Sequence, residues 1–324
     1  ARVEPVEQRR AGAADVEEAG GTGSKTDADL GHGRERSEQL TRGNTNFQAP
    51  FRSRFGVHPR RCFGSNPVVS APPFDLREFF RQFDLSARQA GFAAERWGEV
   101  DGHPLLAYTK AAARPEAPGF YLSAGMHGDE PAPPLAMLNL VENGAFADGA
   151  SWTICPVLNP TGLVRGTREN AAGVDLNRDY KSPVTTEVRA HVAWLRRQPR
   201  YAATFCLHED YEATGFYLYE LSSRTDHSAA AAVLNAVEPI GAIERSTIID
   251  GREASAPGII RPVNDPLLRD QWPEAIYLRE KHTELSYTFE TASLLPLAQC
   301  IAMHVAAVRA AVRALYPPGK VRCP

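Results

Sequence analysis

The chain has 324 residues, 43% of them hydrophobic, with 36 Lys and Arg against 39 Asp and Glu and a formal net charge of −3. So even a balance excludes a nucleic-acid surface or a membrane-attracted polybasic face as the organising feature. No run of roughly 18 apolar residues is present, so the sequence predicts no transmembrane helix.

The five cysteines, Cys62, Cys155, Cys206, Cys300 and Cys323, are scattered and form no C-x-x-C pair. That usage fits core thiols in a reducing, cytoplasmic compartment. The first residue is Ala1 rather than Met, so a leader upstream is left open.

Residues 1–70 are rich in Ala, Gly, Glu, Arg, Asp, Ser and Thr and carry no sustained apolar period. They cannot bury enough surface to offset chain entropy, and a disordered tail is expected. Its cluster Arg52, Arg54, Arg60 and Arg61 reads as solvated charge. No internal repeat is evident. A catalytic domain is expected over 71–317, with 318–324 as a short C-terminal tail.

Order begins with a helix to about residue 90, on which Leu76, Phe79, Phe80 and Phe83 recur at helical spacing. Strands at 94–100 and 103–109 flank the turn Asp101-Gly102. Next come the apolar run Gly119-Phe120-Tyr121-Leu122-Ser123 and the turn Ala124-Gly125-Met126-His127-Gly128-Asp129-Glu130. Pro131 suits the first position of the helix that follows, to about 142. A strand is expected over 152–158, a long ordered loop over 159–181, and a helix over 185–197. Strands at 203–208 and 216–221, a helix at 229–237, and an irregular stretch to about 273 come next. A helix at 274–280, a strand at 284–291 and a last helix at 296–315 close the chain. Strands alternating with helices predict an α/β fold: a mostly parallel, mixed twisted sheet with helices on both faces.

His127 and Glu130 lie on a strand-to-helix crossover, where open α/β sheets place ligands. Phe205-Cys206-Leu207-His208 ends another strand in a histidine. Two imidazoles and a carboxylate with a fourth position open match a catalytic zinc site rather than a structural one. Water at such an ion still needs a proton acceptor, and Glu290 at the end of the last strand, Thr288-Phe289-Glu290, is the candidate base. Taken singly each of these is an ordinary surface pair, strand end or turn former. The remaining seven histidines are read as structural.

The order His127-x-x-Glu130, Asn159-Pro160-x-Gly162, Arg168, Val174-Asp175-x-Asn177-Arg178, His208, Thr288-x-Glu290 resembles the zinc metallocarboxypeptidases of the funnelin type. The resemblance spans about 119–297. It implies one Zn²⁺ ion on His127, Glu130 and His208, with Asp175 accepting from His127. It also implies Asn177 and Arg178 as the grip on a substrate carboxylate. Arg168, or in its place Arg165, would stabilise the oxyanion, and Glu290 would be the base. The expected substrate is a peptide or acyl amino acid with a free carboxylate, with neither nucleic acid nor membrane as partner.

Asp129 stands where the digestive members carry an arginine, which predicts a different charge next to the scissile bond. Glu209 and Asp210 add negative charge after His208. The mobile tyrosine of those enzymes has no clear counterpart: Tyr277 is a poor match and Tyr287 has the wrong strand parity. An N-acyl amino acid deacylase of the aspartoacylase/succinylglutamate desuccinylase type is the alternative. Those relatives carry a further β-rich domain, whereas this chain ends soon after Leu315. A binding protein on a retired enzyme scaffold is the alternative of another class.

Overall fold

A computed structural model of the chain describes residues 74–146, 149–223 and 228–317. The expected tails at 1–70 and 318–324, with the arginine cluster, lie outside the described residues.

Helix α1 (Leu76–Gln89) forms where predicted. Asp75 caps it by accepting from the Glu78 N–H at 2.9 Å, and Leu76, Phe79, Phe83 and Ala87 form its buried stripe. Strands β1 (Ala93–Val100) and β2 (His103–Lys110) form a hairpin on Asp101-Gly102, both at positive φ. Then follow β3 (Gly119–Ser123), α2 (Ala132–Glu142), β4 (Ser151–Cys155), α3 (Pro160–Arg165) and α4 (Thr186–Leu195). The second half runs β5 (Ala203–Asp210), β6 (Tyr217–Ser222) and α5 (Ala230–Val237). It continues through β7 (Ile248–Ile249), β8 (Arg252–Glu253), β9 (Ile259–Ile260), α6 (Glu274–Lys281), β10 (Leu285–Ala292) and α7 (Leu297–Leu315).

Eight strands build one sheet in the order β1-β2-β4-β3-β5-β10-β6-β9. The four pairs β3/β4, β3/β5, β5/β10 and β6/β9 are parallel, and β1/β2, β2/β4 and β6/β10 are antiparallel. The mixed, mostly parallel sheet is as expected. Alternation along its central strands splits the core into two layers. Phe120, Leu122, Phe205, Leu207, Tyr287 and Phe289 face α1, α2, α5 and α7. Tyr121 and Cys206 face α4 and α6 with Val188, Trp194, Ile276 and Leu278. By length and composition α7 could cross a membrane, but it packs Cys300, Ile301, Met303, Ala307, Val308 and Ala311 into the first layer.

Three expectations need correction. The strand predicted over 152–158 stops at Cys155, because Pro156 has no N–H to donate. The loop predicted over 159–181 contains α3 and a single 3₁₀ turn, Leu176–Arg178. Asn159 as N-cap and Pro160 at the first helical position were the signals for α3. The stretch predicted to be irregular carries the β7/β8 hairpin on Asp250-Gly251, again at positive φ, and β9 at the sheet edge. Two-residue strands are too short to show an alternating pattern.

Candidate active site

β3, β5 and β10 run parallel, so their carboxyl ends open on one edge of the sheet. The chain leaves β3 through Gly125, whose φ of 62° suits glycine. Gly128 has a different reason to be glycine. A Cβ there would stand 1.9 Å from the carbonyl carbon of Gly162, backbone against backbone. The turn is thus pressed onto α3, and the Gly128 N–H donates to Thr167 O at 2.9 Å.

Asn159 is wholly buried and joins the parts. Its Oδ1 accepts from the Gly162 N–H (2.9 Å), and its Nδ2 donates to Met126 O (3.2 Å) and Arg168 O (3.3 Å). The turn with His127 and the segment with Arg168 are therefore held by one side chain. The Asn-Pro-x-Gly motif pointed to this residue without showing its role.

His127, Glu130 and His208 meet. Glu130 places Oε1 2.5 Å from His127 Nδ1 and Oε2 3.0 Å from His208 Nδ1. One donor atom from each lies within 4.8 Å of the others, and all three residues are buried. Asp175 Oδ1 lies 3.2 Å from His127 Nε2, so a ring that gives up one proton to hold an ion keeps the other on Nε2 and presents its Nδ1 lone pair. Two imidazole nitrogens and a carboxylate oxygen with one open side are the donor chemistry that zinc takes in catalytic sites. Among the described residues this is the one such group.

The electrostatics are those of a cation site. Burial works against the charged form of His127, but Glu130 and Asp175 outweigh it and raise its pKa to about 9. Burial alone would raise Glu130, yet the two histidines hold it well below the usual carboxylate range. Burial dominates at His208 and pushes it down. Glu290 is pushed well up, first by burial and then by the like charges of Glu130, Asp210 and Asp250, with Arg168 opposing. A divalent cation in the triad would add to Arg168 in favouring the ionised form.

Glu290 pairs in register with His208 across β10 and β5, and both line a cavity of about 890 Å³. Arg168, Asn177, Arg178 and Thr288 line it too. Arg168 donates through Nε to Asp175 Oδ2 at 3.1 Å, and its Nη1 lies 3.3 Å from His127 Nδ1. Asp175 is itself a junction, since its Oδ1 also accepts from the Asn177 N–H at 2.8 Å. It ties the segment of Asn177 and Arg178 to the cluster of His127, Glu130 and His208.

The remaining expectations divide, and Arg165 and Asp129 fall outside the cavity lining. Arg165 ends α3 at the surface and donates to Ala171 O (3.1 Å), away from the cavity lining. Of these two arginines, Arg168 is the one at the site. Asp129 also stands outside the lining, its Oδ1 buried without a hydrogen-bond partner among the described residues. Glu209 and Asp210 both line the cavity, as expected of acids that follow His208. Glu209 accepts from the Ala132 N–H (2.7 Å) and Asp210 from Tyr217 Oη (2.9 Å). Tyr277 packs against Tyr180 and His282, while Tyr287 Oη accepts from the Ala229 N–H on the opposite layer. The tyrosines that do line the cavity are Tyr211, Tyr217 and Tyr219. The last two share with Leu221 the odd-numbered face of β6, an alternation that could have flagged them.

Residues 116–253 match the family described as the succinylglutamate desuccinylase/aspartoacylase catalytic domain. No curated protein matches the chain. Among solved structures, a candidate metallopeptidase from Shewanella amazonensis superposes with a TM-score of 0.67 at 23% identity, covering 75% of this chain and 94% of that one. A metallo-carboxypeptidase from Burkholderia cenocepacia gives 0.56 at 18% identity, over 74% and 68%. Bovine thrombin-activatable fibrinolysis inhibitor, in complex with tick carboxypeptidase inhibitor, gives 0.54 at 16%, over 74% and 96%.

The chain has the metallocarboxypeptidase fold. Within that fold the matched segment carries His127, Glu130, Arg168, Asp175, Asn177, Arg178 and His208, while Glu290 arrives from β10 beyond it.

Proposed function

We propose that the chain is a zinc-dependent hydrolase that cleaves an amide or peptide bond next to a free carboxylate. What carries this reading is the convergence of His127, Glu130 and His208 on the wall of a cavity that also presents Glu290, Arg168, Asn177 and Arg178. A zinc ion on those three donors would supply Lewis acidity, polarising a carbonyl and making a water easier to deprotonate.

The chain's own residues do the rest. Asn177 and Arg178 hold the substrate carboxylate, the guanidinium by parallel N–H bonds. Arg168 donates to the carbonyl oxygen as negative charge develops there. Glu290 takes the proton of the attacking water and passes it to the departing nitrogen, a general base and then a general acid. Asp175 keeps His127 in the required tautomer and Arg168 in place.

The cavity is near the top of the ~300–1,000 Å³ usual for small-molecule sites, which favours a peptide over a small acyl amino acid. The match over 116–253 favours the deacylase alternative. Metal analysis together with hydrolysis of N-blocked dipeptides, their C-terminal amides and N-acyl amino acids tests both. A protein that binds no zinc and cleaves none of them would sink the proposal. The buried thiols of Cys155, Cys206 and Cys300 suit a reducing, cytoplasmic setting.

A further inference from the structure

Beneath the carboxylate grip lies a buried polar chain that the reaction above does not use. It centres on Glu274, the first residue of α6 and 1% exposed. Glu274 Oε1 accepts from Tyr121 Oη and Oε2 from Ser123 Oγ, both at 2.8 Å and both on β3. Tyr121 spends its one proton on Glu274, so towards His191 Nε2, 3.1 Å away, it accepts. That leaves His191 Nδ1 to accept from Tyr180 Oη at 2.7 Å. Every bond in the chain therefore points toward Glu274.

The same residue reaches the grip through its backbone. The Glu274 N–H donates to Asn177 Oδ1 at 2.9 Å. That bond decides which way the Asn177 amide faces: with Oδ1 engaged, Nδ2 is left for the cavity that Asn177 lines. The Asn177 Nδ2 has no partner among the described residues. Neighbouring bonds tie the same two segments together, Tyr180 N–H to Trp272 O at 3.2 Å and Lys181 Nζ to Arg269 O at 2.7 Å. They leave the amide of Asn177 unset, whereas Glu274 sets it.

We propose that Glu274 is a positioning residue for substrate selection: its carboxyl group anchors the start of α6 to β3, so that its N–H holds the Asn177 amide nitrogen toward a substrate carboxylate. The titratable groups facing it are Tyr121 on β3, Cys155 on β4, Cys206 on β5, His191 on α4 and Tyr180. None is cationic, since burial pushes His191 down to about 3. Glu274 is thus held by hydroxyl donors rather than by an ion pair, and burial raises it to about 7.

The inference rests on the proposed grip, and the test separates the two. Zinc-loaded Glu290→Gln protein serves as a non-turnover background. Calorimetry measures its dissociation constants for N-blocked dipeptides ending in Phe, Lys or Glu and for their C-terminal amides. Glu274→Ala in that background is expected to weaken binding of the best free-terminus peptide by about tenfold or more, the worth of one well-placed hydrogen bond to a charged group. The amide of that peptide should bind unchanged. Glu274→Gln, which still accepts from Tyr121 and can donate to Ser123, should restore affinity to within about threefold.

Should Glu274→Ala fail to fold, Tyr121→Phe removes one anchor bond and is expected to lower free-terminus affinity selectively by a smaller factor. Equal loss for acid and amide, or no loss in the variant that folds, overturns the role of Glu274. If the background protein itself binds acid and amide alike, or binds neither, the grip is wrong and the inference falls with it.

Discussion

Gly128→Ala tests whether the metal site depends on a backbone contact. The added Cβ would stand 1.9 Å from the Gly162 carbonyl carbon, 2.1 Å from its oxygen and 2.3 Å from Leu163 N. To reach an ordinary contact of 3.4 Å the two segments must separate by roughly 1.5 Å. Neither can yield by a rotamer change, because every opposing atom is main chain. The far side is also fixed by the Asn159 cap on the Gly162 N–H. The turn holding His127 and Glu130 must therefore move, and metal–ligand distances tolerate only about 0.2 Å.

Overpacking costs about 1–3 kcal/mol, and a backbone clash belongs at the upper end. At roughly 2–4 °C per kcal/mol for a domain of this size, the apo protein should melt about 6–12 °C lower. Zinc affinity should fall by more than about 100-fold, since two of three ligands are displaced together. Thermal melts with and without zinc, and competition against a chelator, measure both. Gly144→Ala is the control: its φ is 62° but nothing lies within 4 Å of the new Cβ, so about 1 kcal/mol of backbone strain and no zinc effect are expected. If Gly128→Ala binds zinc as the wild type does and melts like the control, the contact argument is wrong.

Glu290→Gln should keep zinc stoichiometry while lowering kcat by about 10²–10⁴, measured on whichever substrate the panel identifies. Asp175→Asn should weaken zinc binding by about 10–100-fold by chelator competition, because the charged acceptor of His127 Nε2 becomes neutral and an amide NH₂ replaces the oxygen that accepts from Arg168. Arg178→Ala should raise KM by about 10–100-fold for free-terminus substrates and leave amidated ones unaffected. Glu274 predicts a pH effect on stability. Its folded pKa of about 7 lies above the ordinary 4.5, so the folded state holds the proton more tightly. Its contribution is most favourable below about pH 4.5 and falls through about pH 7, by roughly 3 kcal/mol in all. Denaturant melts of wild type minus Glu274→Gln should trace that fall, and a flat difference would refute it.

Much of this molecule was legible because its signals are local. The apolar stripe of α1, the Asp101-Gly102 hairpin and the alternation of central strands follow from periods set by the backbone, so element types and the α/β class emerge from composition and spacing. The cluster of His127, Glu130 and His208 was legible for a related reason. A ligand must stand at a strand end or on the turn just past one, and His127, Glu130 and His208 do so in an order that matches a known pattern.

What only the tertiary structure decided depends on which atoms approach across long stretches of chain. Arg165 and Arg168 are equivalent as text, and only the path of the chain after α3 sends one to solvent and the other to Asp175. Gly128 reads as a turn glycine until Gly162 arrives against it. Glu274 reads as an acid at a helix start, yet folding seals it against β3 and beneath Asn177. Sequence alone determines local conformation and the residue types that can do chemistry. Burial, dielectric and the choice between equivalent side chains are set by contacts between residues tens to more than a hundred positions apart, which no local pattern encodes.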